Sequence, residues 1–284
     1  MGTRPEAMNN YGRLLPIATK AVMLAADMML HRSPGALTTK GDRDFASELD
    51  YDIEREIRSF LETATPDIGF LGEEEGAKKI GEDMRWVLDP IDGTANFVRG
   101  IPLCAVSLGL IHGNEAVLGV IQLPFLHSCY AATKGGGATA NGRPIKVSRT
   151  NRLSEAIVAI GDYAVGTNST AKNRTRLSLT AQLAETAQRV RMTGTAALDL
   201  AWLADGKIDA AITLSNQPWD MTAGVAIARE AGATVIDSDG SAHSISAATT
   251  WGMAPGLISE IGELISKCSE PLHHSEIASH APDS

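Results

Sequence analysis

The chain has 284 residues and a formal net charge of −9, which argues against nucleic acid as a partner because a phosphate backbone requires a basic surface. No run approaches the roughly 20 consecutive apolar residues of a membrane span, and the first residues lack the pattern of a signal peptide. The three cysteines (Cys104, Cys129 and Cys268) are widely spaced, which predicts neither disulfides nor a structural zinc site, so we expect a cytoplasmic protein.

The N-terminal part of the chain predicts two helices. Apolar residues recur at helical spacing from Leu14 to Met28, and this pattern ends near the Ser-Pro-Gly at 33–35. A second helix is predicted over about 46–61. Its apolar stripe consists of Leu49, Ile53, Ile57 and Phe60. The opposite face, which we expect to be solvated, carries Asp52, Arg55, Glu56 and Arg58.

The middle of the chain predicts a largely antiparallel sheet. Five runs have strand character: 68–72, 84–88, 104–112, 115–123 and 128–134. Gly113-Asn114 and Asn141-Gly142 are hairpin turn signals between such runs. The glycine-rich stretch 134–138 is not followed by Gly-Lys-Ser/Thr or by a helix, so it predicts a sheet connection rather than a phosphate loop.

After Thr150 the pattern changes to strands that alternate with helices. The predicted strands are 156–160, 189–192, 208–214 and 234–238, and the predicted helices are 178–188, 196–204 and 221–231. We therefore predict one domain over 1–268, with an N-terminal lobe at about 1–150, a C-terminal lobe at about 151–268 and a flexible tail at 269–284.

Acidic residues stand at four places where a folded core would not accept them unpaired. They are Asp50 on an apolar helix stripe, Glu73-Glu74 after a short strand, Asp89 and Asp92 after the apolar run RWVL, and Asp220 at a helix start. Each has an ordinary explanation: a cap or a partner for a buried arginine, a solvated loop, a turn, and a complement to the helix dipole. Together they predict oxygen ligands for a hard divalent cation such as Mg²⁺.

Two glycine–threonine turns predict anion sites. Gly93-Thr94 follows the paired aspartates, and Gly194-Thr195 precedes the helix predicted at 196–204. The free N–H groups of a helix start bind phosphate. Acidic cation ligands beside such a start indicate phosphoryl chemistry.

At these motifs the sequence resembles the inositol monophosphatase family. The resemblance is carried by Glu73-Glu74 after a glycine, WVLDPIDGTANF at 86–97, PWDMTAG at 218–224 and the Glu-Ala-Gly that follows, and it extends from Lys40 to Gly232. It implies an α/β (α+β) fold, the layered αβαβα sandwich shared with fructose-1,6-bisphosphatase, usually in a homodimer. It also implies a lithium-sensitive phosphatase that uses about two or three Mg²⁺ ions.

The resemblance implies a role for each matching position. The metal ligands would be Glu73, Asp89, the Ile91 carbonyl, Asp92 and Asp220. Asp50, Glu73 and Thr94 would orient the attacking water. The remaining substrate contacts would be Gly93 and Thr94 at the phosphate, and Gly194, Thr195 and Ala196 at the alcohol, with Asp92 and Asp220 beside them. Lys40 is left outside the catalytic set, because a loop lysine is ordinarily solvated.

The resemblance predicts a phosphomonoesterase that hydrolyses inositol monophosphate with a metal-activated water. Histidinol phosphate, fructose-1,6-bisphosphate and a nucleotide 3'- or 2'-phosphate are alternative substrates, and a non-catalytic regulator that binds a phosphorylated ligand is an alternative of another class. The chain keeps the full set of acids together with Thr94, which favours an enzyme. Animal members carry a glutamate seven residues before the last metal aspartate. This chain has Thr213 there, so we expect weaker selectivity for inositol.

Overall fold

The computed structural model describes residues 11–79, 83–167 and 169–269. The helices in these ranges are α1 (Leu15–His31), α2 (Glu48–Ala64), α3 (Thr94–Val98), α4 (Ser169–Thr186), α5 (Ala196–Ala204), α6 (Pro218–Glu230) and α7 (Ile258–Ser269). The strands are β1 (Leu37–Gly41), β2 (Asp44–Ser47), β3 (Gly69–Gly72), β4 (Gly76–Lys79), β5 (Met84–Asp92), β6 (Ala105–His112), β7 (Glu115–Leu123), β8 (Ser128–Thr133), β9 (Gly137–Ala140), β10 (Arg143–Pro144), β11 (Ile157–Ile160), β12 (Arg189–Arg191), β13 (Ala210–Thr213), β14 (Thr234–Ile236) and β15 (Thr250–Met253). Of the tail predicted at 269–284, residues 270–284 lie outside the described ranges.

Two sheets organise the fold. The first has the order β10-β9-β8-β7-β6-β5-β3-β4 and is antiparallel except where β3 pairs with β5. The hairpins predicted at Gly113-Asn114 and Asn141-Gly142 are confirmed by the β6–β7 and β9–β10 pairs. The second sheet has the order β12-β11-β13-β15-β14 and is parallel only across its first three strands.

The helices complete five layers. Helices α1 and α2 pack on the outer face of the first sheet, α5 and α6 contact both sheets, and α4 and α7 pack together on the outer side of the second sheet. The layered αβαβα sandwich is therefore confirmed. Because α6 lies between the sheets, every residue from Met221 to Ala228 is buried.

Helices α2 and α4 differ from the sequence prediction. Helix α2 begins two residues later, at Glu48, because the preceding residues pair as strand β2 and Ser47 caps the helix. Helix α4 begins at Ser169, nine residues before the prediction, since its buried stripe starts only at Arg176 and the first turns carry no apolar period. The prediction of a solvated face on α2 is wrong for Arg58, which is only 3% exposed.

The segment Tyr11–His31 is long and apolar enough to span a membrane by length and composition alone. In this structure, one face of its helix α1 is buried in the hydrophobic core. Helix α1 packs against α2 and β7, and its buried residues are Ala18, Ala21, Val22, Ala25, Ala26, Met28 and Met29.

Glycines in β6 and β7 allow α6 to lie close to the first sheet. A Cβ placed on Gly119 would stand 2.2 Å from the Ala223 carbonyl oxygen, and one on Gly109 would stand 2.4 Å from the Thr222 side chain. Both obstacles belong to α6. The separation of the middle layer from the sheet is thus set by the absence of side chains at these two positions.

Replacing Gly119 with alanine should lower the free energy of unfolding by about 1–3 kcal/mol, because the added methyl group meets backbone that cannot move without shifting α6. The matched control is Gly262→Ala in α7, where a Cβ meets open space; there a gain of about 0.5–1 kcal/mol is expected from helix propensity. Urea unfolding measures both. Equal stabilities for the two variants would contradict this account of the layer spacing.

Candidate active site

The carboxyl end of β5 carries two buried aspartates. Asp89 and Asp92 are 2% and 9% exposed, and both belong to the strand rather than to a turn. Residues three apart in a regular strand point to opposite faces, but the pairing of β5 with β6 shifts between these two residues. Such an irregularity re-aims side chains, and Pro90 fits it because proline donates no ladder hydrogen bond. As a result both aspartates line one cavity.

The parallel neighbour of β5 brings a third acid to the same edge. Strand β3 ends at Gly72, which pairs with Leu88, and the Glu73 N–H donates to the Leu88 carbonyl at 3.2 Å. Carboxyl ends of parallel strands meet at one edge of a sheet, where open α/β folds bind ligands. Glu73 therefore lies beside Asp89 and lines the same cavity.

The buried polar pair of α2 fixes the turn that contains Glu73. The Glu54 carboxylate accepts hydrogen bonds from the N–H groups of Glu74 and Glu75 at 2.7 and 2.9 Å. Arg58 donates to Glu54 at 2.5 Å and to Glu75 at 2.7 Å. Two buried charges are tolerated here because each is paired and hydrogen-bonded.

Asp50 is both a helix cap and a partner of the site. Its Oδ2 accepts hydrogen bonds from the Ser47 N–H at 2.9 Å and from the Ser47 hydroxyl at 2.5 Å, which forms a capping box with the N-terminus of α2. Its Oδ1 lies 3.1 Å from the Thr94 hydroxyl, which also lies 3.0 Å from the Ile91 carbonyl oxygen. Asp50 and Thr94 are thus hydrogen-bonded to each other, whereas an arginine partner for Asp50 is not among the contacts described.

Asp92 connects the two glycine–threonine turns. Its Oδ2 accepts hydrogen bonds from the Thr195 hydroxyl at 2.7 Å and from the Ala197 N–H at 2.6 Å. Thr195 is also the N-cap of α5, where its hydroxyl accepts from the Leu198 N–H. A carboxylate at a helix start satisfies free N–H groups and complements the dipole. Asp92 therefore ties the second turn to the edge of β5.

The two turns approach each other through their glycines. Gly93 has φ +89°, and a Cβ on it would stand 3.1 Å from the Leu103 carbonyl oxygen and 3.3 Å from that of Gly194. The Asn96 amide closes the junction, because it donates to the carbonyls of Leu103 at 2.7 Å and Thr193 at 2.8 Å. Glycine is required at 93 for both the positive φ and the close approach.

One cavity of about 190 Å³ gathers most of the predicted site. Its lining includes all five proposed metal ligands, two of which (Asp92 and Asp220) are also proposed substrate contacts, and three further substrate contacts: Glu73, Asp89, Ile91, Asp92, Asp220, Gly93, Thr94 and Gly194. The other predicted residues stand behind this surface. Asp50 reaches it through Thr94, and Thr195 through Asp92. Ala196 does not line the cavity.

The clustered carboxyls raise one another's pKa. For Asp89, burial is the main cause and the charges of Glu73, Asp92 and Asp220 add to it, so its pKa lies well above the usual value. Burial also raises the pKa of Asp92 to about 6, although the hydrogen bonds from Thr195 and Ala197 oppose the rise. The pKa of Asp220, at the start of α6, is raised well above the usual value by burial and then by Asp92 and Glu73. The site thus holds more negative charge than its protein surroundings balance.

This excess charge fits a bound divalent cation. Asp89 Oδ1 is buried and has no hydrogen-bond partner, a costly state for a carboxylate oxygen unless a ligand satisfies it. The oxygen donors around it are those that Mg²⁺ prefers. Among the residues that the structure describes, no three acidic, histidine or cysteine side chains already form a finished ligand set. The acids line the cavity, but their carboxylates do not converge on a single point.

Lys40 supplies a positive charge that the sequence prediction set aside. Its Nζ lies 2.6 Å from Glu73 and 2.9 Å from Glu74. Burial alone would lower the pKa of Lys40, but the charges and hydrogen bonds of both glutamates raise it above the usual value. Burial raises the pKa of Glu74 to about 7 even though Lys40 opposes that rise. Lys40 is therefore a paired residue at the rim of the site rather than a solvated one.

The hairpin β1–β2 adds residues that no motif indicated. Arg43, Asp44 and Phe45 line the cavity, and Arg43 has φ +58°. The hairpin also contacts the second half of the chain, because Asp42 accepts a hydrogen bond from the Gly166 N–H at 3.2 Å. The dipeptide Gly41-Asp42 was the available signal, since glycine and aspartate favour turns.

Comparisons with known proteins agree with this geometry. The model of the inositol monophosphatase family matches residues 13–278. Among curated proteins, "Inositol-1-monophosphatase ImpA" of Mycolicibacterium smegmatis is 36% identical over 241 residues, which cover 85% of this chain and 87% of that protein. "Fructose-1,6-bisphosphatase/inositol-1-monophosphatase" of Aquifex aeolicus is 35% identical over 230 residues, with 79% of this chain and 86% of that protein covered.

A solved structure supports the same fold. The crystal structure of the extragenic suppressor protein suhB from Bartonella henselae superposes with a TM-score of 0.84 at 30% sequence identity. The match covers 90% of this chain and 99% of that one.

Asp89→Asn should stabilise the protein when divalent cations are removed. The exchange keeps the side-chain shape but removes a buried charge that repels its neighbours, so in a chelator the free energy of unfolding should rise by about 1–3 kcal/mol. The same variant should lose activity by about a hundredfold or more in Mg²⁺, because the charge that would hold the cation is gone. Thermal and urea unfolding and a phosphate-release assay measure the two effects.

The exposed Asp67 provides the matched control, since Asp67→Asn removes an equal charge on the surface and should change neither stability nor activity. A destabilised Asp89→Asn protein in chelator, or one with wild-type turnover in Mg²⁺, would contradict the assignment of Asp89.

Proposed function

The chain belongs to the inositol monophosphatase family and is a phosphoric monoester hydrolase, and from this premise we propose that it is an Mg²⁺-dependent enzyme that hydrolyses inositol monophosphate. One observation carries the proposal: five oxygen donors typical of an Mg²⁺ site line a single cavity together with a helix start. The proposed ligands are Glu73, Asp89, the Ile91 carbonyl, Asp92 and Asp220, and we expect about two or three ions.

Bound Mg²⁺ would offset the charge of the phosphate and lower the pKa of a bound water. The chain itself would orient that water through Thr94. The Thr94 hydroxyl donates its proton to Asp50 at 3.1 Å, which leaves its oxygen lone pairs free to accept a hydrogen bond from the water. Burial raises the pKa of Asp50, although the hydrogen bonds from Ser47 and Thr94 oppose the rise. Asp50 can therefore take up a proton through Thr94 as the water attacks.

The start of α3 would bind the phosphate. Gly93 is the N-cap of this helix, and Gly93, Thr94 and Ala95 line the cavity. The first N–H groups of a helix have no partner within the helix, and they suit an anion. The acids on the other side of the cavity keep the phosphate from binding strongly without cations. Because phosphate binding depends on the cations in this way, we expect the substrate to bind together with Mg²⁺.

The choice of inositol monophosphate rests on the family and on the names of the relatives. Fructose-1,6-bisphosphate is the second candidate, because the relative from Aquifex aeolicus is named for both activities. We further propose a cytoplasmic homodimer with neither a nucleic-acid nor a membrane partner; the net charge of −9 supports the exclusion of nucleic acid. A purely regulatory role would not require the buried, mutually repelling carboxyls, which lower stability without a catalytic use.

The proposal is tested by phosphate release from a panel of esters at matched Mg²⁺, with chelator and lithium arms. Inositol 1-phosphate should have the highest kcat/KM among inositol 1-phosphate, fructose-1,6-bisphosphate, histidinol phosphate and a nucleotide 3'-phosphate. Chelator should abolish release, and lithium should inhibit by competing for a cation site. Phosphate release that is unaffected by chelator, or no release from any ester, would overturn the proposal. A higher kcat/KM for another ester would change the proposed substrate but not the proposed phosphatase activity.

A further inference from the structure

Asp162 directly follows strand β11 and its glycine at the carboxyl edge of the second sheet. The backbone at this point is fixed. The Gly161 N–H donates to the Ile212 carbonyl at 2.9 Å, and Arg176 Nε donates to the Asp162 carbonyl at 3.1 Å. Strands β11 and β13 are parallel here, with Ile160 opposite Ile212. The position of Asp162 is therefore set by the sheet and by α4, not by a free loop.

The carboxylate of Asp162 lies beside the cavity. Its Oδ2 stands 3.7 Å from the point that a Cβ on Gly194 would occupy, and Gly194 lines the cavity. The Asp162 charge also acts on nearby acids. The pKa values of Asp92 and Asp199 are raised mainly by their own burial, and the negative charge of Asp162 raises both further. Asp162 thus does not line the cavity itself but stands next to Gly194, one of the residues that do.

This carboxylate has no structural partner. Asp162 is exposed, and among the described residues only its backbone carbonyl, not its side chain, makes a hydrogen bond. No described ion pair includes it. A carboxylate that stands near other acids and is compensated by no cation or N–H group gains nothing for the fold, since like charges raise the free energy of the folded state.

The placement points to the alcohol side of a substrate. The helix start at Gly93 and Thr94 is suited to phosphate. Gly194 lies next to Gly93, and the Asp162 carboxylate is also close to Gly194. A phosphate ester seated on Gly93 that extends across Gly194 brings its alcohol group toward Asp162. Carboxylate oxygens accept hydrogen bonds and cannot donate them when ionised, so the matching ligand group is a hydroxyl.

We propose that Asp162 is a specificity residue that accepts hydrogen bonds from the hydroxyls of a polyhydroxylated alcohol phosphate. This inference rests on the phosphatase function proposed above. Thr213 ends the neighbouring strand β13, and its methyl group lies 3.7 Å from the Cβ position of Gly161. Thr213 has a single short hydroxyl, whereas Asp162 brings two acceptor oxygens to the same sheet edge. The selectivity that Thr213 cannot provide is therefore supplied from β11.

The test compares two esters with the same ring size. Inositol 1-phosphate carries hydroxyls around its ring, and cyclohexyl phosphate carries none. In Asp162→Asn, the ratio of kcat/KM for inositol 1-phosphate to that for cyclohexyl phosphate should fall about tenfold, the effect of losing a charge-assisted hydrogen bond at a solvated site. The fall should come mainly from a higher KM. The control, Asp239→Asn, changes an exposed turn aspartate outside the cavity and should leave the ratio unchanged.

The outcomes separate the two claims. If the wild type releases phosphate but the ratio does not change in Asp162→Asn, the assignment of Asp162 is wrong and the phosphatase stands. A parallel fall for both esters would show a structural role and would also overturn the assignment. With histidinol phosphate as a third ester, a larger loss for it than for inositol 1-phosphate would overturn the hydroxyl assignment in favour of an ammonium group. No release by the wild type from either ester would remove the phosphatase and the assignment together.

Discussion

The mutual repulsion of carboxylates around one small cavity is the constraint on which this structure depends. Asp89 is buried with one oxygen unpaired, and its pKa is raised by burial and by four acidic neighbours. A fold keeps such a cluster only if its other contacts hold the acids in place, since each uncompensated buried charge costs stability. In this fold the acids are held where several stable elements meet. These are the ends of the paired strands β3 and β5, the capped start of α2, and the starts of α5 and α6.

Three of the acids, Asp50, Asp92 and Glu73, are positioned by contacts that also serve the local fold. Asp50 caps α2 and accepts from Thr94. Asp92 ends β5 and accepts from the first turn of α5. Arg58 donates a hydrogen bond to the buried Glu54, and Glu54 accepts one from the Glu74 N–H in the turn that presents Glu73. Because these contacts serve both purposes, the cavity is formed in advance of any ligand, as electrostatic stabilisation of a reacting phosphate requires.

The sequence predicted the elements with a strong apolar period and the acids that interrupt such periods. Helix α5 and strand β7 have the predicted bounds, and Asp50 was identified because a carboxylate on an apolar stripe needs a partner. The pairing of Arg58 with Glu75 and that of Lys40 with Glu73 were missed, because these partners lie 17 and 33 positions away along the chain and leave no local period. Asp162 was missed because an exposed aspartate in a polar segment resembles an ordinary loop residue until the sheet brings it beside Gly194.

The central claim is that a divalent cation relieves the repulsion among these carboxyls. The folded pKa values of Asp89, Asp92 and Asp220 lie above the unfolded value of 3.8. In chelator their contribution to stability is therefore present below pH 3.8 and is lost as the pH rises through each folded pKa, which is about 6 for Asp92. The measurement is the Tm of the wild type from pH 5 to pH 8, with Mg²⁺ and with chelator. The Tm gap between the two conditions should widen as the pH rises. A gap that is absent, or that stays constant with pH, would contradict the account.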